Sequence, residues 1–342
     1  MNSSIIIYLI INFIVFFLCG KISYKIDLVD VPNDRKIHFK ATAFTGGIAL
    51  SIIFLFSIIL FDGFNQSLSL ILSIGFLISI IGLIDDIYNL NIGGKLSLQI
   101  IPIFYLIIYE SFFLNQIGDY DLFNLELGVF SIPFTFLSVL FLINAFNYFD
   151  GIDGMLGFVS ISVLGILYFL VIEQNTHFLT LEQNTNFFLI IIIISIIVFL
   201  FFNFSFLGLP KIFLGDSGSL LLGFIVSFIL IFFANQNLIE PILLAWSVVI
   251  FVYEFLSINI IRLKNKQKLF KAGKDHLHHV LLEKNESVIL TNLLVTSLNI
   301  ILFSIGYISY LIFNQLISLI LFITFFMVFL FFRNKYSKII YK

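Results

Sequence analysis

The chain has 342 residues, of which 60% are hydrophobic, 18% aromatic and only 11% charged. A soluble domain carries about 25% charged residues, so the composition excludes a soluble globular chain and points to one membrane-embedded bundle. The single Cys19 leaves no disulfide framework and no cysteine-based metal site; with a net charge of −2, the distribution of charge says more than its sum.

Apolar runs of about 17–25 residues read as membrane spans. Taken in chain order they predict eleven helices, near 3–20, 45–61, 67–84, 96–110, 131–149, 155–172, 187–205, 217–234, 238–261, 288–312 and 315–332. The expected fold is therefore all-α, a polytopic integral membrane helical bundle. With eleven spans, alternate loops fall on opposite sides, and all 18 Lys and Arg residues fall on one of them. Positive loops stay cytoplasmic, so the expected topology has the N-terminus outside and the C-terminus cytoplasmic. The first span has no cation before it, while Lys21 and Lys25 follow it. That order is the reverse of a secretory signal, so it reads as a retained helix.

The two sides differ. The outer connections are short and somewhat acidic; the longest, 111–130, carries Asp119, Asp121 and Glu126, and its Gly118-Asp119 and Gly128 are expected to turn a small hairpin. The inner segments 21–44, 85–95, 150–154, 203–216 and 262–287 hold nearly every unusual polar residue. None is long enough to fold as a soluble catalytic domain. Any chemistry falls to loops and helix ends at the cytoplasmic face, where a lipid presents its head group.

Five constellations lie there. The first inner loop runs from Asp30 through Pro32, Asp34, Arg35, Lys36 and His38 to Thr45-Gly46-Gly47; it is either a positively charged connection or a phosphate-contacting loop. Asp85-Asp86 close the third apolar run. Adjacent carboxylates repel and need cations nearby or a raised pKa, so they read as a general base, part of a magnesium site or a solvated acidic turn. Lys95 and Gln99 follow, Lys95 either snorkelling to the interface or meeting a phosphate. Residues 144–154 bring Asn144, Asn147, Asp150 and Asp153 with Gly151 and Gly154 to one helix end. Charge in hydrocarbon is expensive, although a polar end capped by glycine is an alternative. Next come Lys211 and Asp216, the latter between Gly215 and Gly218. These glycines would let backbone approach a ligand, and the helix start suits an anion, while a lone Asp there is also an ordinary N-cap. Finally His276, His278 and His279 sit in a basic loop. They suit phosphate or a leaving group, the alternative being a polybasic segment facing anionic lipid. His177 is on the other side and takes no part. Acids for a divalent metal and cations for phosphate, on one face of one bundle, describe phosphoryl transfer.

These motifs have a family likeness. The segments "DVPNDRKIH…TGG" (30–47), "GLIDD" (82–86) with "KLSLQ" (95–99), "NAFNYFDGIDG" (144–154), "GLPKIFLGDSGSLLLGF" (208–224) and "DHLHHVLL" (275–282) occur in family order. The chain resembles the polyprenyl-phosphate N-acetylhexosamine-1-phosphate transferases, of the glycosyltransferase family 4 type, closest to the undecaprenyl-phosphate N-acetylglucosamine-1-phosphate branch. The resemblance implies a multi-pass enzyme of the bacterial inner (plasma) membrane, one transferase domain over 1–342. Its site would be built from 21–44, 85–95, 144–154, 203–219 and 262–287 and face the cytoplasm. A UDP-N-acetylhexosamine would give its sugar-1-phosphate to undecaprenyl phosphate and release UMP, with magnesium (or manganese) as cofactor. Asp85, Asp86, Asp216, His276, His278 and His279 would be catalytic. Asn144, Asn147, Asp150, Asp153, Lys36, His38, Lys95 and Lys211 would bind substrate, and Asp216 with Asp150 would hold metal. The partners implied are the two substrates and the bilayer, with no nucleic acid and a homodimer left open.

The spacing "DHLHH" matches enzymes that begin O-antigen, enterobacterial common antigen or teichoic acid linkage units, which favours UDP-N-acetylglucosamine or a 6-deoxy relative. The peptidoglycan branch, which transfers phospho-N-acetylmuramoyl-pentapeptide, usually has consecutive histidines and is the alternative within the family. In "YEFLSINIIR", Glu254 stands where the family often has Asp. From a different class, a transporter would keep its ionisable residues near the midplane, which here reads apolar, and a membrane scaffold would need none of these acids.

Overall fold

A computed structural model describes residues 2–31, 41–61, 64–120, 122–173, 179–267 and 275–340. Every predicted segment is helical. In chain order the helices are α1 (Asn2–Lys25), α2 (Gly46–Leu60), α3 (Gln66–Tyr88), α4 (Ile92–Phe104), α5 (Ser131–Phe149), α6 (Met155–Glu173), α7 (Leu179–Asn203), α8 (Gly215–Asn235), α9 (Pro241–Ser247), α10 (Val249–Lys264), α11 (Leu277–Asn285), α12 (Val288–Ile312) and α13 (Gln315–Ile340). Among the described residues nine helices are long and apolar enough to cross a membrane, and α9 with α10 makes a tenth if the bent pair is one span. The chain is a multi-pass membrane protein. The second predicted span is the exception in length: α2 has 15 residues, which at 1.5 Å each cover roughly 22 Å.

Two spans are irregular, for different reasons. Pro102 lies inside α4. It has no N–H to donate, and the helix loosens into a π-helical turn over Tyr105–Tyr109. Between α9 and α10 the axis bends by 72°, with no Gly or Pro at the break. Backbone freed inside a bilayer must find partners within the protein. Asn299 of α12 supplies them: its Oδ1 accepts from the Ile250 N–H (3.3 Å), and its Nδ2 donates to the Ser247 carbonyl (3.3 Å) and Ser162 Oγ (3.1 Å). These partners are all neutral, unlike the charged broken helices of ion-coupled transport.

Helix α8 is the axis of the bundle, almost wholly buried, with Leu221, Phe224 and Phe228 inaccessible. A Cβ at Gly47 of α2 would overlap the Gly218 backbone of α8, so these helices touch main chain to main chain, as small residues allow in membranes. Gly218 therefore serves helix packing, and the expectation that it opens backbone to a ligand does not hold.

Four short strands complete the chain. β1 (Val29–Asp30) pairs antiparallel with β2 (Thr42–Ala43), and Ala43 bridges in parallel to Ile212. The Phe213 N–H donates to the Ala43 carbonyl (2.7 Å) and the Gly46 N–H to the Phe213 carbonyl (3.0 Å). The first inner loop is thus tied to the loop that launches α8. On the other face β3 (Gln116–Asp119) and β4 (Asn124–Glu126) form the expected hairpin. Its turn lies after Asp119; Gly118 sits within β3, beside a shift of register.

Candidate active site

Carboxylates from two helix ends meet around a lysine at the end of a third. Asp85 and Asp86 end α3, which Asn89 closes in the left-handed conformation. Asp85 Oδ1 accepts from the Leu90 N–H (2.9 Å) and its Oδ2 lies 2.7 Å from Lys95 Nζ. Lys95 is in the first turn of α4, a helix capped by the Asn91 side chain. The same ammonium is 2.5 Å from Asp216 Oδ2. Asp216 Oδ1 accepts from Asn147 Nδ2 (2.8 Å), which also reaches Ser219 Oγ (2.8 Å). Asp216 belongs to the first turn of α8, where the helix dipole favours a carboxylate, and it does not cap that helix.

The cap comes from elsewhere. Position Leu214 has no side chain to offer the free N–H groups of α8, and these must be satisfied. Asp86 reaches across from α3: its Oδ1 accepts from the Asp216 N–H (3.0 Å) and its Oδ2 from the Ser217 N–H (3.2 Å). Asp86 is therefore a capping group in trans, fixing the backbone that carries Asp216.

Segment 144–154 connects this cluster to the histidines. Asn147 holds Asp216, as described, whereas Asn144 is buried and donates to the Leu140 carbonyl within α5 (2.7 Å). Asp150 follows α5. Burial, then the charges of Asp216 and Asp153, push its carboxyl up to about 8 against the pull of Lys95. Asp153 pairs with Lys211 (2.6 Å), both part-exposed, and its carbonyl accepts from Asn292 Nδ2 (2.8 Å). Gly151 lies flat against the histidines, where a Cβ would strike His278 Nε2 and come within 2.9 Å of His279 Nε2.

His276 and His278 are buried, with parallel rings 5.7 Å apart, and the His279 ring is 4.3 Å from that of His278. Burial pulls the His276 imidazole down to about 3, Asp275 opposing and Arg262 assisting. Burial, then His279, takes His278 well below its ordinary value. Both rings are neutral at pH 7. Among the described residues neither ring nitrogen of His278 has a hydrogen-bond partner, an uncommon state for a buried polar group and one that a ligand would relieve. Because these rings are inside the protein, a lipid-facing polybasic surface does not describe them.

Several residues of this site were not expected. Ser219 joins through Asn147. Arg262 grips Asp275 through two bonds, Nε to Oδ2 (3.1 Å) and Nη2 to Oδ1 (2.8 Å). Burial opposes this, but the Arg262 bonds and charge hold the Asp275 carboxyl below the usual carboxylate range. Glu254 and Arg333 form a second buried pair beside it. The available signal was an ionisable Glu254 within an apolar helix, which marks function by default. Lys36 and His38 lie outside the described residues.

Among the described residues no three His, Cys, Asp or Glu side chains converge as a ready-made metal cage. Magnesium does not need one, since it is held by one or two carboxylates with waters and substrate phosphates. Lys95 is shared by two carboxylates, Asp85 and Asp216; Asp150, pushed up to about 8, is a carboxyl that a cation beside it would ionise, and the donor set is all oxygen. Asp216 and Asp150 fit such an ion.

This fold and this site define a membrane-embedded enzyme whose polar machinery gathers at one end of a helical bundle. Residues 67–234 match the model of the family described as glycosyl transferase family 4, a region that runs from α3 to α8 and holds the carboxylate cluster. An Escherichia coli (strain K12) protein, undecaprenyl-phosphate alpha-N-acetylglucosaminyl 1-phosphate transferase, is 29% identical over 297 residues, 85% of this chain and 78% of its own. The Yersinia pestis protein of that name is 27% identical over 286 residues, 82% of this chain and 77% of its own. In Bacillus subtilis (strain 168), a probable undecaprenyl-phosphate N-acetylglucosaminyl 1-phosphate transferase is 28% identical over 275 residues, covering 77% and 72%. Residues 67–234, just under half of the chain, thus resemble glycosyl transferase family 4, and the chain is an enzyme of the transferase class.

Proposed function

We propose that the protein transfers N-acetylglucosamine 1-phosphate from UDP-N-acetylglucosamine to undecaprenyl phosphate, releasing UMP, with the reaction on the cytoplasmic face and the N-terminus outside. The observation that carries this is the Asp85–Lys95–Asp216 cluster at helix ends, joined through 144–154 to buried neutral histidines. Similarity to the E. coli and B. subtilis proteins supports the substrates, and the one-sided distribution of Lys and Arg supports the orientation. The product is the lipid-linked sugar that begins a cell-envelope glycan, of the O-antigen or teichoic acid kind.

In the direct route, an oxygen of the lipid phosphate attacks the phosphorus that bears the sugar. A new P–O bond forms, the bond from that phosphorus to the bridging oxygen breaks, and UMP departs with that oxygen. Asp85 orients the lipid phosphate and takes its proton where one is present. Lys95 neutralises the nucleophile and pairs with Asp216. Asn147 fixes the Asp216 carboxylate, and Asp86 fixes its backbone. The histidines contact the pyrophosphate or sugar end, and Lys211 with Asp153 borders the nucleotide. When bound by Asp216 and Asp150, magnesium supplies charge neutralisation at the pyrophosphate.

The test is incubation of the purified protein with undecaprenyl phosphate, magnesium and a panel of UDP-N-acetylhexosamines, followed by mass analysis of the lipid product. Undecaprenyl-pyrophosphoryl N-acetylglucosamine is expected. A phospho-N-acetylmuramoyl-pentapeptide product would move the chain to the other branch, and no lipid product from a folded protein with any donor would reject the reading. A phosphorylated Asp trapped from donor alone would replace the direct route by a two-step one.

A further inference from the structure

Arg333 lies in the last helix, outside the matched family region and after every motif of the sequence. It is nonetheless buried, with its side chain 5% exposed and that of Glu254 only 1%. The pair is bidentate: Arg333 Nε donates to Glu254 Oε2 (2.9 Å) and Nη2 to Oε1 (2.8 Å). An ion pair so placed is a poor source of stability, because desolvation offsets the attraction and an apolar pair of similar volume serves as well or better. Its remaining contacts suggest what it does instead. Arg333 Nη2 also donates to the Asp275 carbonyl (2.7 Å), and Glu254 Oε1 also accepts from the Leu277 N–H (2.8 Å). These two backbone groups bracket His276. The pair thus fixes the main chain immediately before and after the first histidine, at the point where α11 begins and presents His278 and His279.

We infer that Arg333 and Glu254 are positioning residues for the histidine segment: α13 reaches back to set where His276, His278 and His279 meet the nucleotide-sugar. They touch no substrate themselves; they act through the backbone of residues 275–277. The inference rests on the reading of that segment as a wall of the donor site. It also makes the end of α13 part of the transferase, although it lies far along the chain from the carboxylates.

The test uses the full chain in lipid nanodiscs and two readouts, amide hydrogen exchange over 277–280 without substrate, and steady-state kinetics for each substrate. The double variant Glu254→Leu/Arg333→Met removes both charges and leaves neither buried alone. Arg333→Lys keeps the charge but not the rigid two-pronged fork, and decides the matter if the double variant does not fold. Loss of a charge-assisted bond is expected to speed exchange at Leu277 by about ten-fold. Displacement of the histidines is expected to raise KM for the nucleotide-sugar by about ten-fold, with KM for the prenyl phosphate unchanged. Wild-type exchange in a folded variant overturns the inference, and so does faster exchange with an unchanged donor KM. Faster exchange in the variants of a protein whose wild type turns over no nucleotide-sugar would reject the donor assignment while leaving the clamp in place.

Discussion

The two walls of the site are built by opposite means. In the carboxylate wall, side chains from different helices meet one another directly: Lys95 with Asp85 and Asp216, Asn147 with Asp216 and Ser219, all at helix ends that α8 packs together. In the histidine wall, among the described residues, His278 has no such partner at either ring nitrogen and His276 none at Nδ1. Their backbone is held from behind by Glu254, Arg262, Asp275 and Arg333. The first wall is a charge balance that is poised by its own members. The second presents two neutral rings, His276 and His278, and the hydrogen-bonding capacity of His278 is kept for something else. Phosphoryl transfer needs both, the one to manage charge and the other to hold a partner in register.

Substitutions should separate the walls. The largest effect belongs to Asp216→Asn, which keeps the shape and the Asn147 contact but removes the charge at the centre; kcat should fall by about 10³ with no loss of folded protein in size-exclusion profiles. Lys95→Met leaves Asp85 and Asp216 facing one another without a cation. Its kcat should fall by about 10², and its thermal midpoint should fall too, unlike that of Asp216→Asn. In the other wall, Gly151→Ala pushes a methyl group into His278. Here KM for the nucleotide-sugar should rise about ten-fold while kcat at saturation changes little; a pure kcat loss would mean that the histidines belong to the chemistry rather than to binding.

Smaller effects test finer points. Asp86→Asn keeps an acceptor for one of the two N–H groups of α8, whereas Asp86→Ala removes both. If capping is the role of Asp86, Asn should retain most activity, and Ala should cost about 1 kcal/mol of stability in a denaturant or thermal series. Equal inactivation by both, at full stability, would restore Asp86 as a base. The remaining test is a pH dependence. His276 is depressed to about 3 and His278 also lies well below its ordinary value, so between about pH 6.5 and 3 the unfolded chain binds protons that the folded chain refuses. The histidine contribution to stability is therefore lost as pH falls below about 6.5, the ordinary histidine value, while Asp150, raised to about 8, shifts stability the opposite way. The comparison of variants isolates the histidine part: lowering pH from 7 to 5 should cost the wild type more of its own thermal midpoint than it costs His278→Asn.

The difference between the walls also explains what could be read from the chain. The spans were legible because apolar length is a local property, and the carboxylates because a charge at the end of such a run stands out. Segment 144–154 was legible for the same reason, and Asn147, Asp150 and Gly151 each take a place in the site. The trans cap by Asp86 was not, since it joins residues 130 apart in sequence. Nor was the Arg333–Glu254 pair, 79 apart, because Arg333 looks like one more inner-side cation. The break after Ser247 has no Gly or Pro to announce it, and its backbone is satisfied by Asn299 from another helix. Gly118 misplaced the outer turn because a glycine in a strand can mark an irregular register as well as a reversal.

The most direct test of the account is UMP release from UDP-N-acetylglucosamine, measured with and without undecaprenyl phosphate, for the wild-type protein and Asp216→Asn prepared side by side. The account predicts release that requires the lipid and magnesium, proceeds in the wild type and is lost in the variant at equal folded concentration. Equal release by the two proteins would contradict it.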